Sequence, residues 1–405
     1  MIFTPEQLTD EHADTIRATL PLVGSKIDEI APNFYRRMFA AHPDLLRDTF
    51  NRGNQAQGAQ QKALAASVAT FAAILVDPEA PSPDDLLSRI GHKHISLGIT
   101  EDQYQIVHDN LFAAIVEVLG ADVVTAPVAE AWDEVYWIMA RCLIRFEHEG
   151  YRAVGVEPGK VFLTATVTRR IEQGDGVATF ELVARDGEPA LRSFLPGQYI
   201  SVRRTMADGA GQLRQYSLCN APTEGRWQFT VKKVAGNGAP DGEVSSSIID
   251  GLKEGDELEV TLPTGDLVLD QASDAPVVLV SAGIGATPIL GMARALAEEK
   301  SERTVLVLHA DQDAAGAALV DELTEAVEQL PNGQLKLWFE QGEHELATAG
   351  LMNLDAVELP EGASYYLCGS NGFLQAVRAQ LLAKGVAEDS VHFELFSPND
   401  WLLPK

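Results

Sequence analysis

The spacing of apolar residues changes twice along this 405-residue chain, so no single repeated architecture can accommodate it. Up to about residue 151 the apolar positions recur at helical intervals, with no alternating strand pattern. From about Gly155 short β-branched or aromatic runs ("VFLTATVTRR", "VATFELVAR", "YISVRR", "WQFTVKKV") are separated by Gly, Pro and Asp turn residues, the texture of an all-β barrel. After "GDELEVTLPTGDLVL" apolar strands alternate with helical stretches ("PVVLVSAGIGATPILGMARALAEE", "TVLVLHA", "LKLWFE", "SYYLCGS", "VHFELF"), which predicts an α/β segment with a mostly parallel sheet. A chain of this length exceeds what one hydrophobic core normally organises. The expected organisation is therefore multidomain: all-α over 1–151, an antiparallel β-barrel over 155–266 and an α/β domain over 273–405.

Charge and cysteine usage narrow the function classes. A formal charge of −28 argues against nucleic acid and anionic membrane surfaces, whose recognition relies on concentrated Lys and Arg. No apolar run is long enough to span a bilayer, and "MIFTPEQLTDEHADTIRATLPL" reads as an amphipathic helix instead of a secretory signal. Cys142, Cys219 and Cys368 are far apart with no CxxC pair, which fits reduced thiols in the cytoplasm. The expected molecule is a cytoplasmic monomer.

"SPDDLLSRIGHKHISLG" suits a helix begun by Ser82 and Pro83, with Asp84 and Asp85 in the first turn. At about 100° per residue, Leu86, Leu87, Ile90, His94 and Leu97 share one arc while His92 lies outside it. His94 is expected to face the core and His92 water. A lone histidine on an apolar face is as a rule an ordinary core residue; its surroundings decide otherwise here. "NFYRRMFAAHPDLLRDTFN", "KHISLGITEDQYQIV" and "AWDEVYWIMARCLIRFEHEGY" together resemble the early helices, proximal-histidine segment and last helix of a globin, specifically the globin domain of the flavohemoglobins.

That resemblance runs in order through all three segments. It implies a globin fold, a six-stranded flavin barrel and a nucleotide domain, with heme b, FAD and NADH or NADPH as cofactors. It makes His94 the heme-iron ligand, with Tyr104 and Glu149 as the proximal pair hydrogen-bonded to its imidazole. It places Tyr35, Gln60 and Leu64 in the distal pocket and Phe50 against the heme. A phenol and an amide there can donate hydrogen bonds to bound gas.

"LPGQYISV" and "RQYSLCNAP" are similar to the flavin-binding strands of the ferredoxin reductase family. The resemblance assigns Arg214 to pyrophosphate, Tyr216 to the isoalloxazine, Ser217 to the reactive edge of the ring, and Gln215 and Tyr199 to further flavin contacts. In "DGEVSSSIID" it implies that Gly242, Glu243, Val244, Ser245 and Ser246 bring backbone N–H groups to flavin phosphates.

"SAGIGATP" reads GxGxxP, not the GxGxxG dinucleotide fingerprint, and resembles the reductase nucleotide motif. Gly283, Ile284, Gly285, Ala286, Thr287 and Pro288 would cradle the dinucleotide. Cys368 and Gly369 match the family's pair beside the nicotinamide, in a positioning and not a nucleophilic role. In "LHADQDAAG", Asp311 and Asp313 would repel a 2′-phosphate, which favours NADH. Glu394 and Phe396 match the carboxylate and aromatic that cover the flavin, while the tail with Trp401 departs from the family ending.

By resemblance the activity is nitric oxide dioxygenation: nitric oxide and O2 become nitrate at a heme re-reduced by NAD(P)H through FAD. The competing readings are a flavin and heme reductase of other acceptors, such as quinones, peroxides or ferric compounds, and a gas carrier or sensor.

Overall fold

The computed structural model describes residues 3, 5–53, 59–80, 82–236, 241–342 and 345–396, without the side chains of residues 59–63 and 85. By contact the chain divides into two compact units: the helical part with residues 205–213, and the two sheet-bearing segments 163–204 and 214–397.

The helical unit contains α1 (Asp10–Ser25), α2 (Ile27–Ala41), α3 (Pro43–Asp48), α4 (Ala59–Val76), α5 (Asp84–Leu97), α6 (Glu101–Leu119) and α7 (Ala126–Ala153). Local chemistry sets several of the ends. Thr9 caps α1 by accepting His12 N–H, with Asp10 and Glu11 in the first turn. Gln103 reaches back from the first turn of α6 to accept Thr100 N–H at 2.9 Å. Helix α5 stops at Gly98, which takes the left-handed conformation at φ 70° that closes a helix C-terminus. The short turn that follows folds α6 back, so residues ten apart in sequence, His94 and Tyr104, come together.

Helices α5 and α7 approach closely because each is bare at the crossing. A Cβ on Gly91 would lie 2.4 Å from the Phe146 ring, and one on Gly150 would lie 2.5 Å from Ile95 Cδ1. This approach also settles His92. The expectation that it faces water is corrected: its ring stands edge-on to Phe146 at 5.0 Å, and burial depresses its pKa to about 4. Helix α5 alone would leave His92 outside the apolar arc, but α7 supplies a second apolar surface. Among the described residues no helix is long and apolar enough to cross a membrane.

After the helices comes an antiparallel six-stranded sheet in the order β4-β3-β6-β1-β2-β5: β1 (Phe162–Gly174), β2 (Val177–Ala184), β3 (Tyr199–Thr205), β4 (Gly211–Ser217), β5 (Trp227–Lys232) and β6 (Glu257–Thr261). Helix α8 (Glu243–Gly251) lies between β5 and β6 in sequence. A parallel sheet follows in the order β10-β9-β8-β7-β11-β12: β7 (Val277–Ala282), β8 (Val305–Asp311), β9 (Gly333–Phe339), β10 (Ala347–Ala349), β11 (Ser364–Gly369) and β12 (Val391–Leu395). Its helices are α9 (Ala286–Glu298), α10 (Val320–Glu328) and α11 (Asn371–Ala383). Strand β7 has β8 on one side and β11 on the other, so the strand order reverses beside it, where open α/β sheets bind ligands.

Helix α9 joins the two sheets. Ile289, Leu290, Met292 and Ala293 are fully buried, and the helix shares one apolar core with Cys219 and Leu267 of the first sheet segment and with Leu279 and Val307 of the second. Each such aliphatic side chain removed from water contributes about 1.5–3 kcal/mol. Arg294 Nη1 donates to Cys219 O at 3.0 Å, and a Cβ on Gly291 would sit 2.5 Å from Leu218 O.

Gly291→Ala is therefore expected to cost about 1–3 kcal/mol, because backbone must move to admit the methyl group. Gly372→Ala, with nothing near its Cβ in α11, should be neutral or stabilise by up to about 1 kcal/mol. Denaturant unfolding of the two variants checks this; an unaffected Gly291→Ala would contradict the close contact.

Candidate functional site

The strongest polar cluster in the helical core surrounds His94. Its Nδ1 lies 2.8 Å from Glu147 Oε1 and 3.0 Å from the Tyr104 hydroxyl, and that hydroxyl donates to the same Glu147 oxygen at 2.5 Å. Glu147 is 2% exposed and Tyr104 6%. A carboxylate this deep is tolerated only with partners, and these two provide them. Burial, and next the adjacent carboxylate, push the Tyr104 phenol well above its usual pKa, so it remains a donor. Tyr136 fixes the backbone beneath by donating to Tyr104 O at 2.7 Å.

The carboxylate expected in this role was Glu149, and the structure corrects it to Glu147. On α7 the buried face runs through Met139, Leu143 and Glu147 at intervals of four. Glu149 is two residues further, about 200° round the helix, and does not reach His94. The signal was present in the apolar spacing of the last helix.

His94 Nε2 makes no hydrogen bond among the described residues, and its side chain is 28% exposed. Among the same residues no three His, Cys, Asp or Glu groups gather as a metal site. A single imidazole whose Nδ1 is held by a carboxylate suits a metal that brings its other ligands with it, as heme iron does.

Of the expected distal residues, Tyr35 is buried on α2, with Phe39 at 5.5 Å and Phe50 edge-on at 5.8 Å; Phe39 and Phe50 are 5.3 Å apart. Leu64 packs half-buried against the same core. Gln60 falls on α4, and its side chain lies outside the described residues.

On the flavin side, β3 and β4 present Tyr199, Arg214, Gln215, Tyr216 and Ser217. Gln215 Nε2 donates to Ser201 Oγ at 2.8 Å, and Tyr216 packs 5.5 Å from Phe229 with its phenol pushed up by burial. At the start of α8 the expected run of donors is shorter than the resemblance implied. Gly242 N–H is spent on Val234 O at 2.8 Å and Ser246 N–H on Gly242 O at 2.9 Å, while Ser245 Oγ accepts Val234 N–H and donates to Gly242 O. The first-turn N–H groups of Val244 and Ser245, beside Glu243, remain to meet an anion. Ser246 Oγ is buried without a hydrogen-bond partner among the described residues, an orphan hydroxyl that a flavin phosphate would satisfy.

Gly283, at φ 54°, Ile284 and Gly285 form a single tight turn that leads from β7 into α9, with Ala286, Thr287 and Pro288 as its first residues. Thr287 Oγ1 donates to Ile284 O at 3.0 Å, so its hydroxyl braces the turn. Cys368 is fully buried and pairs in register with Glu394; burial, then that carboxylate, raise the thiol well above its usual pKa. A thiol held protonated in this way is a poor nucleophile. Gly369 leaves room for the Phe373 ring, while Phe396 is 48% exposed and Trp401 lies outside the described residues.

Asp311 closes β8 with Oδ2 buried and unpaired, 3.8 Å from His309 Nε2, which is likewise without a hydrogen bond. His309 Nδ1 is held by Ser281 Oγ at 2.8 Å, and burial lowers its pKa to about 4. Asp313 instead accepts Gly316 N–H at 2.8 Å and folds its own loop. His309 and Ser281 were missed in the sequence because they read as ordinary strand positions.

Three family models match consecutive parts of the chain: Globin over residues 32–141, Oxidoreductase FAD-binding domain over 164–268 and Oxidoreductase NAD-binding domain over 279–379. A Flavohemoprotein of Deinococcus radiodurans is 36% identical over 409 residues, covering 98% of this chain and 99% of that relative. The chain belongs to the flavohemoprotein family. Another member, from Halalkalibacterium halodurans, is 35% identical over 96% of this chain and 97% of its own length. The solved flavohemoglobin of Malassezia yamatoensis, with bound FAD and heme, matches at a TM-score of 0.88 and 32% identity, over 97% of this chain and all of that one. The FAD/NAD-binding domain of a nitric oxide dioxygenase from Vibrio cholerae matches 59% of this chain, and 100% of its own, at a TM-score of 0.56 and 32% identity. This flavohemoprotein is thus an oxidoreductase with globin, flavin and nucleotide modules in one chain.

Glu147→Gln is expected to lower heme-dependent turnover by about 10–100-fold, the usual effect of losing a residue that orients a metal-bound histidine. Glu149→Gln should leave it unchanged. Steady-state rates of the two variants decide between the carboxylates, and equal losses would contradict the assignment.

Proposed function

We propose that this flavohemoprotein is a nitric oxide dioxygenase, converting nitric oxide and O2 to nitrate with electrons from NADH. The observation that carries the reading is the Glu147–Tyr104 pair on His94 Nδ1. When bound, heme supplies the iron at which the gases react, and FAD supplies the exchange of one hydride for two single electrons.

The chain's own residues do the rest. His94 Nε2 would hold the iron, and the buried carboxylate at Nδ1 gives the imidazole anionic character that increases electron donation toward it. This favours activation of oxygen over its reversible storage. Tyr104 stays protonated and shares Glu147, which fixes the ring plane of His94. Tyr35 and Gln60 would supply hydrogen-bond donors to the gas, and Phe50 and Leu64 the apolar wall that keeps water out. In the reductase half, Tyr199, Arg214, Gln215, Tyr216 and Ser217 would hold the flavin, with Val244, Ser245 and Ser246 at its phosphates. Gly283 to Pro288 would take the dinucleotide, and Cys368, Gly369, Glu394 and Phe396 would shape the space where its nicotinamide meets the flavin.

Asp311 supports NADH as the donor. Its carboxylate closes β8, where a 2′-phosphate would meet like charge and a free 2′-hydroxyl could donate to it.

The test is NADH oxidation by the heme- and FAD-loaded protein in air after a pulse of nitric oxide. Loss of nitric oxide matched by nitrate supports the reading, while turnover that ignores nitric oxide but reduces quinones or ferric compounds returns the reductase alternative. For donor choice, Asp311→Asn is expected to raise kcat/KM for NADPH relative to NADH by about tenfold, the effect of removing one like charge near the added phosphate. An unchanged ratio would place the discrimination elsewhere.

A further inference from the structure

Helix α3 is only six residues long, so the carbonyls of its last turn have no helical partner. Leu45 O is met by Thr49 and Phe50 N–H at 3.0 and 2.8 Å. The carbonyls that follow are met by one distant side chain. Gln212 Nε2 donates to Arg47 O at 2.9 Å and to Leu46 O and Phe50 O at 3.3 Å, and Gln212 Oε1 accepts Arg52 N–H at 3.2 Å. Gln212 is fully buried. Two contacts flank it: Gly211 N–H donates to Asp48 Oδ1 at 2.8 Å, and Arg52 pairs with Asp208. Residues 205–213 belong by contact to the helical unit, although Gln212 itself sits on β4, two residues before Arg214.

The Phe50 backbone is thereby fixed at both its N–H and its carbonyl. Its ring in turn stands edge-on to Tyr35 and to Phe39. We propose that Gln212 is a positioning residue for the gas-binding side of the heme pocket, holding Phe50 and, through its ring, the Tyr35 phenol. A buried amide that spends both ends on one short segment leaves that segment little freedom; without it the Leu46, Arg47 and Phe50 carbonyls lose a shared donor. The proposal rests on the heme reading above.

Full-length, heme- and FAD-loaded Gln212→Leu and Asp48→Ala test it, with carbon monoxide as the probe. The C–O stretch of the ferrous complex reports the field that Tyr35 sets at the ligand, and NADH-driven ferricyanide reduction reports the flavin half independently. In Gln212→Leu the stretch should shift or split and carbon monoxide release should change several-fold. Asp48→Ala, which removes the carboxylate that accepts Gly211 N–H and pairs with the neighbouring Arg47 but leaves Gln212 in place, should give a smaller change in the same direction. In a Tyr35→Phe background both changes should largely vanish, which a merely destabilised fold would not produce. An unaltered stretch and release rate in folded, heme-loaded variants would overturn the proposal; if Gln212→Leu does not load heme, Asp48→Ala decides by the same criterion. Failure of the unsubstituted chain to take up heme would instead strike the heme reading itself.

Discussion

One buried carboxylate organises the helical unit. Glu147 lies at the crossing of α5 and α7, where a bare glycine on each helix allows close approach, and both of its neighbours in that space are polar groups from other elements. Remove either partner and a nearly dry carboxylate loses compensation, at a cost of a few kcal/mol. The same contact orients His94 with Nδ1 occupied and Nε2 available. Stability of the crossing and electronic character of the histidine therefore depend on one group, so the site cannot be loosened without loosening the core.

The sheet-bearing unit relies on dry packing. Helix α9 is buried on nearly every side, and the turn that begins it is the glycine-rich stretch at the reversal of strand order. A mobile turn would serve a dinucleotide poorly; here Thr287 and the core beneath hold it. Cys368 is fully buried, and that burial, with the Glu394 carboxylate, keeps its thiol protonated. Among the described residues of this unit, Ser246 Oγ, His309 Nε2 and Asp311 Oδ2 are buried without a hydrogen bond, as is Arg303 Nη2.

Much of this was legible in the sequence, because the two periodicities that separate helix from strand persist over long stretches. The three-part architecture, the helix that carries His94 and the strand-turn-helix of "SAGIGATP" all follow from patterns within one element. Most of what failed depended on a second element. The choice between the two glutamates of "FEHEGY" did not: the apolar spacing of α7 itself selects Glu147. His92 lies outside the apolar arc of its own helix, yet Phe146 comes to cover it. Asp313 and Asp311 read as equals until the loop is folded and Asp313 spends its oxygen on Gly316 N–H. At Gly242 and Ser246, backbone donors were already engaged in building the turn.

The central claim is that Glu147 charges the imidazole proposed to hold the iron. The most direct measurement is the iron–histidine stretching frequency of the ferrous, ligand-free protein by resonance Raman spectroscopy, in the unsubstituted chain, Glu147→Gln and Glu149→Gln. The account predicts a high frequency, typical of a strongly anionic histidine, that falls in Glu147→Gln and is unmoved in Glu149→Gln. A frequency that stays put when Glu147 is neutralised would contradict it.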